Sequence, residues 1–181
     1  MIGYSAAMED LRYPIGKFSH DPESNAQKRA AWMRDIAELP VHAKNAVMGL
    51  SPAQLDTPYR DGGWTVRQVV HHLADSHMNA FIRFKLAITE NGPQIKPYDQ
   101  KAWADLPDGR GGSVESSLAL LEGLHARWGV LLSSLSPAQL DRTFLHPESG
   151  EQKLDRTLQT YAWHGRHHVA HITRLRQRNG W

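Results

Sequence analysis

Leu50-Ser51-Pro52-Ala53-Gln54-Leu55-Asp56 recurs letter for letter as Leu135-Ser136-Pro137-Ala138-Gln139-Leu140-Asp141. In each copy the serine is placed to cap a helix. Proline suits the first helical position, where its missing N–H goes unused, and glutamine three residues after the serine closes a capping box. Good capping sequences can recur by accident. Identity across the whole stretch, with each copy set between two helix-patterned segments, favours an internal duplication. The expected fold is all-α: two helical hairpins joined by a long crossover, together a four-helix bundle.

The flanking segments carry the helical period. From about Ala26, Trp32, Ile36, Leu39, Ala43, Val47 and Leu50 recur three or four apart, and Pro40 inside that run is expected to kink it. Thr57-Pro58-Tyr59-Arg60-Asp61-Gly62-Gly63 reads as a loop. A second helix follows, opened by a capping box of Thr65 and Gln68. Its inward stripe is Val66, Val69, Val70, Leu73, His77, Ala80, Phe81 and Phe84, and it fades by Asn91-Gly92-Pro93. Residues 93–112 form a long connection with Tyr98 and Trp103 as anchors. Ser113 then caps a third helix that turns Leu118, Leu121, Leu124, Trp128, Leu131 and Leu135 inward. The fourth runs from about Leu154 to Arg178, with Leu158, Tyr161, Gly165, Val169, Ile172 and Leu175 near one face. Residues 1–25 read as an irregular N-terminal arm, with Leu11–Phe18 packed on the body. No segment alternates over enough residues to predict a sheet.

A length of 181 residues suits a single domain over 1–181. Lys and Arg total 21 against 19 Asp and Glu, and no long run of like charge occurs, so no nucleic-acid partner is expected. Cysteine is absent, which removes disulfides, thiolate metal sites and cysteine nucleophiles. Residues 1–24 lack an apolar run of signal-peptide length, and no stretch reaches the roughly 20 apolar residues that span a bilayer. A soluble, cytoplasmic protein without membrane contact is expected.

Histidine, at 11 residues, is the unusual count. His71, His72 and His77 fall in one short stretch, and His164, His167, His168 and His171 in another. His164 and His168, four apart, project from the same helix face about one turn from each other. Aligning the second and fourth helices by their apolar stripes sets Leu73 on Gly165 and His72 on His164. Both histidines then flank their stripes, at ~100° per residue, as for facing helices that turn imidazoles into a shared seam. His71 points nearer to solvent and His167 outward. His77 sits in mid-stripe, where a hydrogen-bonded core histidine is commoner than a ligand, and His171 suits a supporting or pocket position. A wholly structural histidine cluster is the plain alternative. Three neutral imidazoles suit one ion of zinc, nickel, copper or iron rather than magnesium or calcium, and zinc or nickel is the divalent transition metal expected. Three protein ligands leave a fourth position for water or substrate, as catalytic sites do.

The run Gly62-Gly63-Trp64-Thr65-Val66-Arg67-Gln68-Val69-Val70-His71-His72-Leu73-Ala74-Asp75-Ser76-His77-Met78-Asn79 resembles the DinB superfamily, most of all its YfiT-like branch. So does Trp163-His164-Gly165-Arg166-His167-His168-Val169-Ala170-His171-Ile172. The likeness reaches from Leu11-Arg12-Tyr13-Pro14-Ile15-Gly16 to Asn179-Gly180-Trp181. It implies a four-helix bundle, a homodimer, and a three-histidine metal site on His72, His164 and His168. It also implies a metal-dependent hydrolase acting on a small-molecule substrate. Relatives in the wider superfamily use such a metal to activate low-molecular-weight thiols, so a bacillithiol-type S-transferase is the alternative, and a non-catalytic metal-binding bundle a third.

The catalytic base is not evident. Gly165 and Arg166 follow His164, so the glutamate of a His-Glu-x-x-His motif is missing. Asp75, one turn beyond His72, is a candidate base against the commoner role of exposed helix charge, and His171 is a second candidate. Arg83, Arg127 and Arg166 could meet an anionic substrate, although surface arginine is the default.

Overall fold

In the computed structural model, which describes residues 10–181, four long helices carry the architecture. They are α1 (Ala26–Val47), α3 (Val66–Thr89), α6 (Val114–Ser134) and α8 (Leu154–Asn179). The duplicated heptapeptides form the short helices α2 (Pro52–Leu55) and α7 (Pro137–Leu140). Both carry the complete reciprocal capping box that the sequence predicts, on Ser51 with Gln54 and on Ser136 with Gln139. Thr65 and Gln68 do the same for α3. Ser113 stands at the N-cap of α6, but its side chain makes no capping bond and binds the Glu115 carboxylate instead.

The two halves interleave. α1 packs on α6 and α8, and α3 packs on the same two helices, so α1 lies diagonal to α3 and α6 diagonal to α8. The predicted bundle is present, but the long helices of each hairpin are not side-by-side neighbours. The capped turn and loop after α1, and α7 with its hairpin after α6, give each connection the length to cross the bundle end. Interleaving makes α3 and α8 neighbours, and their seam holds the histidines.

The core follows the predicted stripes. Ile36, Leu39 and Ala43 of α1 are buried with Val69, Leu73, Ala80 and Phe84 of α3, Leu121, Leu124 and Trp128 of α6, and Leu158 and Ile172 of α8. At the end of α6 Leu132 is buried instead of the expected Leu131 and Leu135, which are half-buried. At Gly165 α8 packs tightly on α1: a Cβ there would stand 3.0 and 3.1 Å from the Leu39 methyl carbons. α1 runs unbroken through Pro40.

Two features lie beyond the sequence reading. The all-α bundle carries one small β-hairpin where no sheet was expected: β1 (Thr143–His146) and β2 (Gly150–Lys153) pair antiparallel. Each strand has four residues, only Phe144 among them is buried, and the chain reverses over residues 147–149, with Gly150 entering β2 at φ 73°. So short a hairpin has no alternation to read. The 93–112 connection is also partly ordered, as α4 (Gln100–Ala104) and α5 (Pro107–Gly111), while Ile95 and Pro93 bond to Leu145 of β1. Of the N-terminal arm, residues 1–9 lie outside the described residues. Its remainder is irregular, as expected, and packs on α8 through Phe18 on Trp163 and Tyr13 against His167. Gln159 both accepts from the Asp21 N–H and donates to its carbonyl, which pins the arm.

Candidate metal centre

His72 of α3 and His164 and His168 of α8 converge in the α3–α8 seam, with one ring nitrogen from each within 4.8 Å of the others. His72 Nε2 and His164 Nε2 are 3.2 Å apart. Two nitrogens each ~2.05 Å from one tetrahedral ion would stand about 3.3 Å apart, so this pair already has ligand spacing. No fourth His, Cys, Asp or Glu among the described residues joins the group. Trp64 covers it, with ring centroids 4.6 Å from His72 and 6.3 Å from His168.

Burial keeps these rings neutral, the form that binds metal. It pushes His72 down to about 4, with His167 and His171 adding to the effect. His164 and His168 go well below the ordinary histidine value for the same reason.

Neutral rings have one N–H and one lone pair, so the neighbours decide which nitrogen faces the seam. His171 Nε2 lies 3.2 Å from the Arg12 carbonyl, which can only accept, so His171 carries its proton there. Its bare Nδ1, 3.3 Å from His168 Nδ1, then accepts a hydrogen bond from the His168 Nδ1–H. That leaves the lone pair of His168 on Nε2. His77, fully buried, engages His164 in the same way, with Nε2 3.2 Å from His164 Nδ1. His77 and His171 therefore stand behind two members of the cluster, the usual arrangement for imidazoles that orient metal ligands. His167, His168 and His171 form a second cluster of ligand-capable nitrogens that shares His168.

Two histidines lie elsewhere than predicted. His71, expected nearer solvent, is buried. Its Nε2 donates to the Gly112 carbonyl and its Nδ1 accepts from Ser117 Oγ at 2.7 Å, tying α3 to the crossover and α6. His167, expected outward, is buried and stacked on Trp163 at 4.3 Å, beneath Tyr13 of the arm. In both cases the cover comes from a distant segment, which a single helix's stripe does not register. His125 of α6 was not anticipated at all, and it stacks on His77 at 5.0 Å.

Two cavities, of about 620 and 640 Å³, meet at His164 and Gln100. The larger is lined by all three clustered histidines with Tyr59, Arg60 and Trp64. The smaller runs from His164 past Tyr161, Ser76 and Tyr98 to Arg83. Arg83 has no ion pair among the described residues, whereas Arg166 pairs with Asp35 and Arg127 sits over the Phe81 ring. Tyr98 packs on Trp103, which is itself 37% exposed. Asp75 is half-buried, raised to about 6 by burial and by Asp108, and lines neither cavity.

Fold and site together define a four-helix-bundle protein with a histidine cluster able to hold a metal. The chain belongs to the DinB superfamily, which residues 42–172 match. A protein of Bacillus mycoides strain KBAB4, provisionally named a metal-dependent hydrolase, is 56% identical over 174 residues, 96% of this chain and all of its own. One of Bacillus cereus strain 03BB102, named likewise, is 55% identical over the same span. The solved structure of YfiT from Bacillus subtilis is 50% identical and superposes with TM-score 0.92 over 94% of this chain and 98% of its own. It is provisionally described as a metal-dependent hydrolase with an unusual four-helix bundle topology. TT2238, 22% identical with TM-score 0.55 over 78% of this chain and 94% of its own, shares the four-helix bundle fold.

Proposed function

We propose that His72, His164 and His168 hold one divalent transition metal, zinc or nickel, and that the protein is a hydrolase of a small-molecule substrate. The observation that carries this is the convergence of three neutral imidazoles from two helices with no fourth protein ligand among the described residues. The hydrolase names of the relatives support it. An ion held there supplies Lewis-acid chemistry to water or to a carbonyl or phosphoryl oxygen. The chain's own residues do the rest. His77 and His171 orient ligand rings, Trp64 and Tyr59 restrict water around them, and Ser76, Tyr98 and Tyr161 present hydroxyls along the smaller cavity. Arg83 at that cavity suits a substrate with an anionic group. A homodimer and a cytoplasmic location, implied by the resemblance, belong to the same proposal; light scattering measures the first.

Elemental analysis of purified protein is expected to find about one metal per chain, lost in H72A, H164A and H168A. Metal-loaded protein is assayed against ester, amide and phosphoester panels. Hydrolysis that persists unchanged in H164A sinks the proposed role.

One observation favours the thiol S-transferase as second reading: no carboxylate among the described residues contacts the three imidazoles, and Asp75 lines neither cavity. A thiol is acidic enough to ionise on a metal without such a base. Titration of cobalt-substituted protein with a low-molecular-weight thiol decides, because a sulfur-to-metal charge-transfer band is required by this reading.

A further inference from the structure

Pro40 has no N–H, so the carbonyl of Ile36, four residues earlier in α1, has no helix donor. Its donor comes from α6: His125 Nδ1 lies 2.6 Å from Ile36 O. A carbonyl only accepts, so neutral His125 carries its proton on Nδ1 and a bare lone pair on Nε2. That Nε2 is buried and has no hydrogen-bond partner among the described residues, and the same holds for His77 Nδ1 and Trp128 Nε1. The three rings are mutual neighbours, with centroids 5.0 Å apart for His77–His125, 5.8 Å for His77–Trp128 and 5.7 Å for His125–Trp128. Native interiors rarely leave even one such group unmet, and a buried water with two to four polar partners is the usual remedy.

The geometry points to one internal water bound between His77, His125 and Trp128, which links the Pro40-freed carbonyl of α1 to the metal ligand His164. The inference rests on the metal reading above. For His164 to offer Nε2 to an ion, its proton must sit on Nδ1, and that N–H donates a hydrogen bond to His77 Nε2 across 3.2 Å. His77 must then carry its own proton on Nδ1, where no described protein atom accepts it. The water accepts hydrogen bonds from that N–H and from the Trp128 N–H, and donates one to His125 Nε2. His125 cannot answer with a competing proton, because Ile36 holds it as Nδ1–H. His77 and His125 are thus positioning residues: they act through the tautomer of His164 and touch no substrate.

Histidine nitrogen NMR on the zinc-loaded full chain reads the tautomers directly. Both His77 and His125 are expected protonated at Nδ1. A crystal structure is expected to show one ordered water within hydrogen-bond distance of His77 Nδ1, His125 Nε2 and Trp128 Nε1. H125L is expected to bind zinc about 10-fold more weakly or worse, with H125Q recovering part of the loss because its amide both donates and accepts. His77 protonated at Nε2 in the zinc-loaded protein overturns the inference, as does an empty space among the three rings or zinc affinity unchanged in H125L. If H125L does not fold, the wild-type tautomers and the water still decide. Should the wild type bind no metal, the proposed function falls, while a crystal structure of the metal-free chain separately tests the water.

Discussion

His168 faces the seam with Nε2 because its Nδ1–H donates to His171 Nδ1, and His171 is held in turn by the Arg12 carbonyl and the Tyr59 ring at 3.9 Å. His171→Ala should therefore weaken zinc binding about 10- to 100-fold without abolishing it, as loss of an orienting partner does; calorimetric titration measures this, and an affinity equal to wild type contradicts the role. Next to the cluster, Gly165→Ala should destabilise. The added methyl meets Leu39, which is almost wholly buried and has little room to yield. Overpacking costs about 1–3 kcal/mol against the ~1 kcal/mol of helix propensity gained. A melting temperature lower by a few degrees is expected, and an increase would show that Leu39 repacks freely. The three clustered histidines were legible in the chain because helical spacing and a duplicated stripe are local signals. His71 and His167 were misread because their covers, Gly112 with Ser117 and Tyr13, come from segments whose docking no local pattern records. For His125 a signal did exist: a proline inside a helix leaves a carbonyl in need of a donor.

The capped turns α2 and α7 were read from the sequence in full, down to the reciprocal bonds of Ser51 and Ser136. Each fixes where a crossing connection begins. Ser51→Ala and Ser136→Ala should each cost about 1 kcal/mol, the ordinary value of an N-cap. Denaturant titration of the single and double variants measures the costs, and a double variant as stable as wild type would show that the caps are incidental. The β1–β2 hairpin escaped prediction because its order comes from outside: Leu145 exchanges backbone bonds with Pro93 and Ile95 of the crossover, and Phe144 fills a gap in the core. The helices α4 and α5 lay inside what was read only as a long connection, since each has only five residues. One consequence of α4 is functional. Its carbonyl at Ala104 accepts from Gln68 Nε2 at 2.8 Å, which docks the crossover over the larger cavity.

Across the fold, burial lowers His72, His125, His167 and His171 to about 4, and holds His77, His164 and His168 well below the ordinary histidine value too. An unfolded chain has ordinary histidines near 6.5 and so binds more protons than the native state below that pH. The stability these rings contribute is present above about pH 6.5 and is lost as pH falls towards 4. Metal-free protein should melt progressively lower between pH 7 and pH 5, and a flat profile over that window would mean the rings are solvated. The interleaved packing has a consequence of its own. α1 and α3 touch α6 and α8 far more than they touch each other, so neither half of the chain owns an interior. Pieces cut at the exposed Lys96 should each be largely unstructured by circular dichroism and gain helix only when mixed. If the repeated heptapeptide marks an internal duplication, a lone ancestral half would have met the same need by clasping a second copy of itself, and fusion would have tethered a partnership that already existed.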